Sequence, residues 1–154
     1  MTLSAQAGAG RRFCLLVSRF NEVVTEQLEA GAIKTLQRHG VEAGDIDVVA
    51  VPGAWELAYA ARLAGQRGYD GILALGCVIR GETPHFEYVC FGAASGLEAA
   101  GRSCDVPITF GVLTTDTLEQ ALQRVGGSGG HKGEEAALAA LEMSQLRERW
   151  LGGD

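Results

Sequence analysis

Aromatic side chains are scarce in this 154-residue sequence, at 6% of positions, whereas 22 residues are glycine and alanine is as frequent. Proline is rarer still, with three. A core made of such small groups buries little area per residue and relies on close helix packing or on neighbouring subunits, which predicts a homo-oligomer. Positive charge is also in deficit: the net charge is −6 and the pI near 5.1. Phosphate backbones need a basic face, so nucleic acid is excluded as the main partner. No apolar run approaches the roughly 18–20 residues of a membrane span, so no membrane partner is expected. The four cysteines (Cys14, Cys77, Cys90 and Cys104) form no CxxC pair, and three lie inside apolar runs. That pattern argues for buried free thiols in a reducing, cytoplasmic setting rather than a zinc site. Apolar residues nevertheless make up 47% of the chain, too many for disorder. The first residues have no apolar segment after a basic one. They predict a flexible tail over 1–12 ahead of a single domain at 13–154, about the usual domain length.

Four short β-rich apolar runs recur at even intervals: FCLLVS (13–18), DVVAV (47–51), ILALGCVI (72–79) and ITFGVL (108–113). Helical periodicity fills the gaps. Val24, Leu28 and Ala32 share one face of a helix over 22–38 that Gly40 stops. Leu57, Ala60, Ala61 and Ala64 mark a second helix ending near Gly68. A third, over about 85–101, is rich in small residues. Asp116 with Glu119 suits the start of a short fourth helix before GGSGG (126–130), and a last helix runs from Glu134 to about Trp150. Strands apolar throughout are buried on both faces, as parallel strands covered by helices are. The order βαβαβαβαα with right-handed crossovers therefore predicts a three-layer α/β/α sandwich on a four-stranded parallel sheet, flavodoxin-like in plan.

Ligands of such sheets bind beyond the carboxyl ends of the strands. There the first two strands place Phe20 and Trp55, which either cap the core or stack on a planar heterocycle. After the third strand comes Arg80-Gly81-Glu82-Thr83-Pro84-His85. Gly81 permits a tight turn and Pro84 suits a first helical position, which leaves the amides near Glu82 and Thr83 free for a phosphate or carboxylate. His85 falls in the first helical turn, where the dipole disfavours an imidazolium and leaves a ring able to accept a proton. His39, at a helix end, is a solvated residue. GGSGGHKG fails as a phosphate-binding P-loop: Gly133 stands where Ser or Thr is needed, and the segment joins two helices. No GxGxxG follows the first strand, and no histidine–carboxylate cluster has metal-ligand spacing. The expectation is a site without cofactor or metal that takes an aromatic ring and an anion.

SRFNE (18–22), VPGAWEL (51–57), GCVIRGETPHFEYV (76–89), FGVLTTDTLEQALQR (110–124) and HKGEEAALAALEM (131–143) together resemble the lumazine synthases of riboflavin biosynthesis. The resemblance runs over about 13–147 with the motifs in order. It implies condensation of 5-amino-6-(D-ribitylamino)uracil with 3,4-dihydroxy-2-butanone 4-phosphate, giving 6,7-dimethyl-8-ribityllumazine, phosphate and water. It further implies that Phe20, with Asn21 beside it, stacks on the pyrimidine next to Trp55. Ala54, Trp55, Glu56 and Cys77, Val78, Ile79 would contact the pyrimidine or its ribityl chain, largely through backbone. Glu82 and Thr83 would hold the phosphate by their amides, Arg124 would clamp it, and His85 would be the general acid–base group. Phe110, Arg124, Lys132 and Glu135 would come from a neighbouring subunit of a pentamer, or of a multiple of pentamers up to a 60-subunit shell.

The chain departs from the family pattern at Cys77 (commonly Thr), Glu82 (frequently small), Ser128 (frequently basic) and His131 (commonly Asn). The Glu82 side chain must therefore point away from a bound phosphate. Two other readings compete with the enzyme: a flavin-binding paralogue without turnover, and a shell-forming protein. The first would keep Phe20 and Trp55 but lose the clamp or the histidine, yet His85, Arg124 and Lys132 are all present.

Overall fold

A computed structural model describes residues 3–152. Its elements are β1 (Phe13–Ser18), α1 (Glu22–Arg38), β2 (Ile46–Val51), α2 (Leu57–Ala64), β3 (Gly71–Ile79), α3 (His85–Arg102), β4 (Ile108–Thr115), α4 (Leu118–Leu122), β5 (Val125–Gly127), β6 (Gly130–His131) and α5 (Lys132–Leu151). The four long strands form one parallel sheet in the order β2-β1-β3-β4. Strand order reverses between β1 and β3, the place where doubly wound sheets open a crevice.

Side chains alternate across the sheet as a period of two requires. Phe13, Leu15 and Val17, with Leu73, Leu75 and Cys77, point into a core shared with α1 and α5. Cys14 and Leu16, with Ile72 and Ala74, point into a second core shared with α2 and α3. This is the α/β/α sandwich expected from the sequence. Small residues set how closely the layers approach. Gly133 of α5 packs so tightly on α1 that a Cβ there would overlap the Leu28 carbonyl, and buried Ala136, Ala137 and Ala140 continue the contact.

Four expectations need correction. β2 is not buried on both faces: it is an edge strand, and Val48 and Val49 are each 44% exposed. α2 stops at Ala64, short of Gly68, as the chain turns at Gly65 against Cys104. α4 is capped by Thr117 rather than Asp116. Thr117 Oγ1 accepts from the Gln120 N–H at 3.1 Å, and Gln120 Oε1 reaches back to the Thr117 N–H at 3.3 Å. This reciprocal pair outcompetes Asp116, whose carboxylate accepts from Arg80. Finally, the glycine-rich segment between the last helices is a small antiparallel hairpin, β5–β6, with Gly126 and Gly130 at positive φ.

Of the tail expected at residues 1–12, Met1 and Thr2 lie outside the described residues, as do Gly153 and Asp154 at the other end. Ala7 is buried, the Gly8 N–H donates to the His39 carbonyl at 2.7 Å, and Arg11 pairs with Glu148 of α5.

Candidate active site

A cleft of about 660 Å³ opens beyond the carboxyl ends of β1, β2 and β3. The first wall is set by Asn21, the described non-glycine residue with positive φ (65°). Asparagine tolerates this left-handed conformation better than most residues. Its side-chain Nδ2 donates to the Cys77 carbonyl at 2.8 Å, tying the end of β1 to that of β3. The sharp turn projects Phe20 into solvent, 70% exposed. From the end of β2, a 3₁₀ turn at Ala54–Glu56 buries Ala54 and leaves Trp55 60% exposed at the cleft. The indole is seated on α3 at Gly92, where a Cβ would overlap it. A second glycine of α3 is used the same way: a Cβ at Gly96 would meet Ala58. Two aromatic surfaces with this exposure cost solvation that a flat ligand would restore.

Cys77, Val78 and Ile79 form the floor, with Glu56 at the side. The Cys77 thiol belongs to the α1–α5 core, and burial pushes it up to about 11. It is therefore a neutral packing group at neutral pH, and Cys77 meets the cleft through its backbone. The replacement of a threonine hydroxyl by a thiol matters little at a position turned into the core.

The far wall is the turn from β3 into α3. Gly81, Thr83 and His85 line the cleft, and Glu82 is exposed outside its lining. The Thr83 hydroxyl accepts from the His85 N–H at 3.4 Å, while Pro84 takes the capping position just before the helix rather than its first turn. Phe86, Tyr88 and Val89 complete the wall and were not singled out from sequence. For two of them a signal is present: Tyr88 and Val89 follow His85 by three and four residues and so share its helix face, whereas Phe86, one residue on, does not.

Phe110, Arg124, Lys132 and Glu135 do not join this cleft. They meet around a second one of about 340 Å³, against the edge strand β4 and the start of α5. The hairpin assembles it. The Lys132 N–H donates to the Arg124 carbonyl at 2.8 Å, and the Ser128 N–H to Gln123 Oε1 at 2.9 Å. His131 caps α5, its Nδ1 accepting from the Glu134 N–H at 3.3 Å. A capping asparagine would accept the same bond, so the imidazole keeps that role, and its ring packs on Gly31 of α1. Among the described residues Arg124 makes no ion pair, and its NH1 donates only to the Gln120 carbonyl at 3.0 Å. Its fork is thus available for an anion.

Among the described residues no three His, Cys, Asp or Glu side chains group as metal ligands, and no helix is long and apolar enough to cross a membrane. One chain therefore carries an aromatic shelf with a histidine at a helix start, and, apart from them, a cleft that brings Arg124 and Lys132 beside the Phe110 ring. The family model described as 6,7-dimethyl-8-ribityllumazine synthase matches residues 10–148. The 6,7-dimethyl-8-ribityllumazine synthase of Salinibacter ruber is 51% identical over 144 residues, covering 93% of this chain and 92% of that protein. The chain belongs to the 6,7-dimethyl-8-ribityllumazine synthase family.

Proposed function

We propose that the chain joins 5-amino-6-(D-ribitylamino)uracil to 3,4-dihydroxy-2-butanone 4-phosphate, giving 6,7-dimethyl-8-ribityllumazine, phosphate and water. The observation that carries this reading is the cleft itself. It places the Phe20 and Trp55 rings beside Thr83 and His85, at a helix start, in a member of this family. The pyrimidine stacks on Phe20 beside Trp55, with Ala54, Glu56 and the backbone of Cys77, Val78 and Ile79 along its polar edge and ribityl chain. The amides of Glu82 and Thr83 take the phosphate together with Arg124.

The chemistry follows from these groups. The 5-amino nitrogen adds to the ketone carbonyl, and loss of water gives an imine. His85 removes a proton from the adjacent carbon, and the electron pair expels phosphate, which leaves as a stabilised anion. Elimination leaves an enol at the carbon bearing the hydroxyl; it tautomerises to a ketone, on which the ribitylamino nitrogen closes the ring with loss of a second water. One imidazole gives and takes each proton. Holding two small molecules in register supplies much of the rate, up to about 7–11 kcal/mol in the best cases.

The chain forms one lumazine-synthase-like domain over 13–154 and works in the cytoplasm as a homopentamer or a multiple of one, its four cysteines free. Apolar side chains left exposed support this: Phe91 on α3 is 75% exposed, and Val48 and Val49 on the edge strand β2 are about half exposed. In the pentamer, Phe110, Arg124, Lys132 and Glu135 of one subunit face the Phe20–His85 cleft of the next.

The test is direct. Purified protein with both substrates is expected to produce lumazine absorbance and free phosphate in step, well above the spontaneous rate. No excess turnover, with flavin still bound, would assign the chain to the non-catalytic class. His85→Ala is expected to lower kcat about tenfold to a hundredfold and to leave the pyrimidine KM within about twofold. That loss lies at or below the low end for acid–base groups, roughly a hundredfold, because proximity persists. Gly92→Ala is expected to lift the indole from α3. Losing one stacked ring costs roughly 0.5–1.5 kcal/mol, a rise of about twofold to tenfold in the pyrimidine Kd by titration, without loss of kcat.

A further inference from the structure

We infer that Arg80 is a positioning residue for His85, an inference that rests on the reading of His85 as the acid–base group. Arg80 follows the last residue of β3, and its backbone N–H donates to the Thr115 carbonyl at 2.9 Å, continuing the ladder to β4. Its side chain turns back over the loop it begins. Nε donates to Asp116 Oδ1 at 2.7 Å, NH1 donates to Glu87 Oε1 at 3.0 Å, and the guanidinium lies 4.5 Å over the Phe86 ring. Residue 80 is thereby joined to residues 86 and 87, and the segment between them carries Thr83 and His85. The loop is closed at both ends by one planar fork, and the first turn of α3 is fixed against the end of β4.

Neither bulk stability nor anion binding accounts for this arrangement. Arg80, Glu87 and Asp116 are all about half exposed or more, and exposed ion pairs contribute little to folding. Two carboxylates already occupy the guanidinium, whereas Arg124 makes no ion pair among the described residues. What the fork and the ring contact do supply is direction: a planar, stacked guanidinium held by two carboxylates restricts rotation of the turn in a way a point charge does not. His85 lies one residue before Phe86 and two before Glu87, so a turn free to rock would carry its imidazole away from the bound substrate. A misplacement near an ångström is enough to slow a positioned reaction markedly.

A double-mutant cycle in the full-length oligomer tests this. Arg80→Met is expected to lower kcat about tenfold, leave the pyrimidine KM within about twofold, and shift Tm by no more than about 2 °C. In a His85→Ala background the same substitution is expected to lower kcat by less than about twofold, because the group it positions is gone. Arg80→Lys, with one donor point in place of a fork, is expected to recover only part of the loss. Equal slowing of wild type and His85→Ala, or an unchanged kcat in Arg80→Met, would overturn the positioning role. Absence of turnover in the wild-type protein would instead remove the catalytic reading on which it rests.

Discussion

Arg124→Ala is expected to raise the KM for the phosphate-bearing substrate about a hundredfold, with the pyrimidine KM nearly unchanged. A hydrogen-bonded contact to a charged group is worth roughly 1.5–3 kcal/mol, and this fork would make two such contacts on one phosphate. The guanidinium has no competing carboxylate among the described residues, so none of that energy is spent breaking an internal pair. If the substrate's KM stayed within threefold of wild type, the anion clamp would have to lie elsewhere. The same variant reports on which chain supplies the group. Co-assembled with His85→Ala chains at equal amounts, it is expected to recover about a quarter of wild-type activity, since random mixing leaves one junction in four with both residues intact. Were both residues to act within one chain, mixed assemblies would show only the mean of the two parents.

Gly133→Val is expected to lower Tm by roughly 4–12 °C or to prevent accumulation of folded protein. In an open helix, replacing glycine by a residue with a side chain usually stabilises, by up to about 1 kcal/mol for alanine. Here that gain is overwhelmed. The new Cβ would overlap the Leu28 carbonyl, which is backbone and cannot swing aside, so α5 must lift from α1 along the row of buried alanines. Overpacking costs typically 1–3 kcal/mol and more where backbone must move, at about 2–4 °C per kcal/mol for a chain of this size. A Tm within about 2 °C of wild type by calorimetry would refute the tight α1–α5 seam. Gly92→Ala supplies the contrast, because the exposed indole it meets can rotate away.

The architecture was legible because hydrophobic periodicity carried it. Runs apolar enough to be strands alternated with helical faces, and the rule about strand ends then directed attention to Phe20, Trp55 and His85, which do line one cleft. Periodicity is blind where polar residues continue an element. β4 runs on through Thr114 and Thr115, paired with Val78 and Ile79, although the apolar run stops at Leu113. It is equally blind to which strand becomes an edge, a property of sheet order, so the exposure of Val48 and Val49 is not legible in it. The hairpin at 125–131 escaped notice because its content is glycine conformation rather than side-chain pattern. The contacts of Arg80 are not legible because its partners are distant in sequence from one another, Glu87 in α3 and Asp116 in the turn after β4. The division of the named residues into two clefts came from the family resemblance and not from any local spacing.

That division has a mass-action consequence. The two clefts of one chain share no lining residue, so on the proposed pentameric reading a complete site would exist only at a junction between protomers. Specific activity should then fall on dilution once the protein concentration passes below the dissociation constant of that junction. Ligands that straddle it favour the assembled form by linkage, about 2.7 kcal/mol at a hundred times their Kd. Product or substrate in the buffer would thus act as a tether, and the concentration at which activity per milligram halves would shift downward as ligand is added.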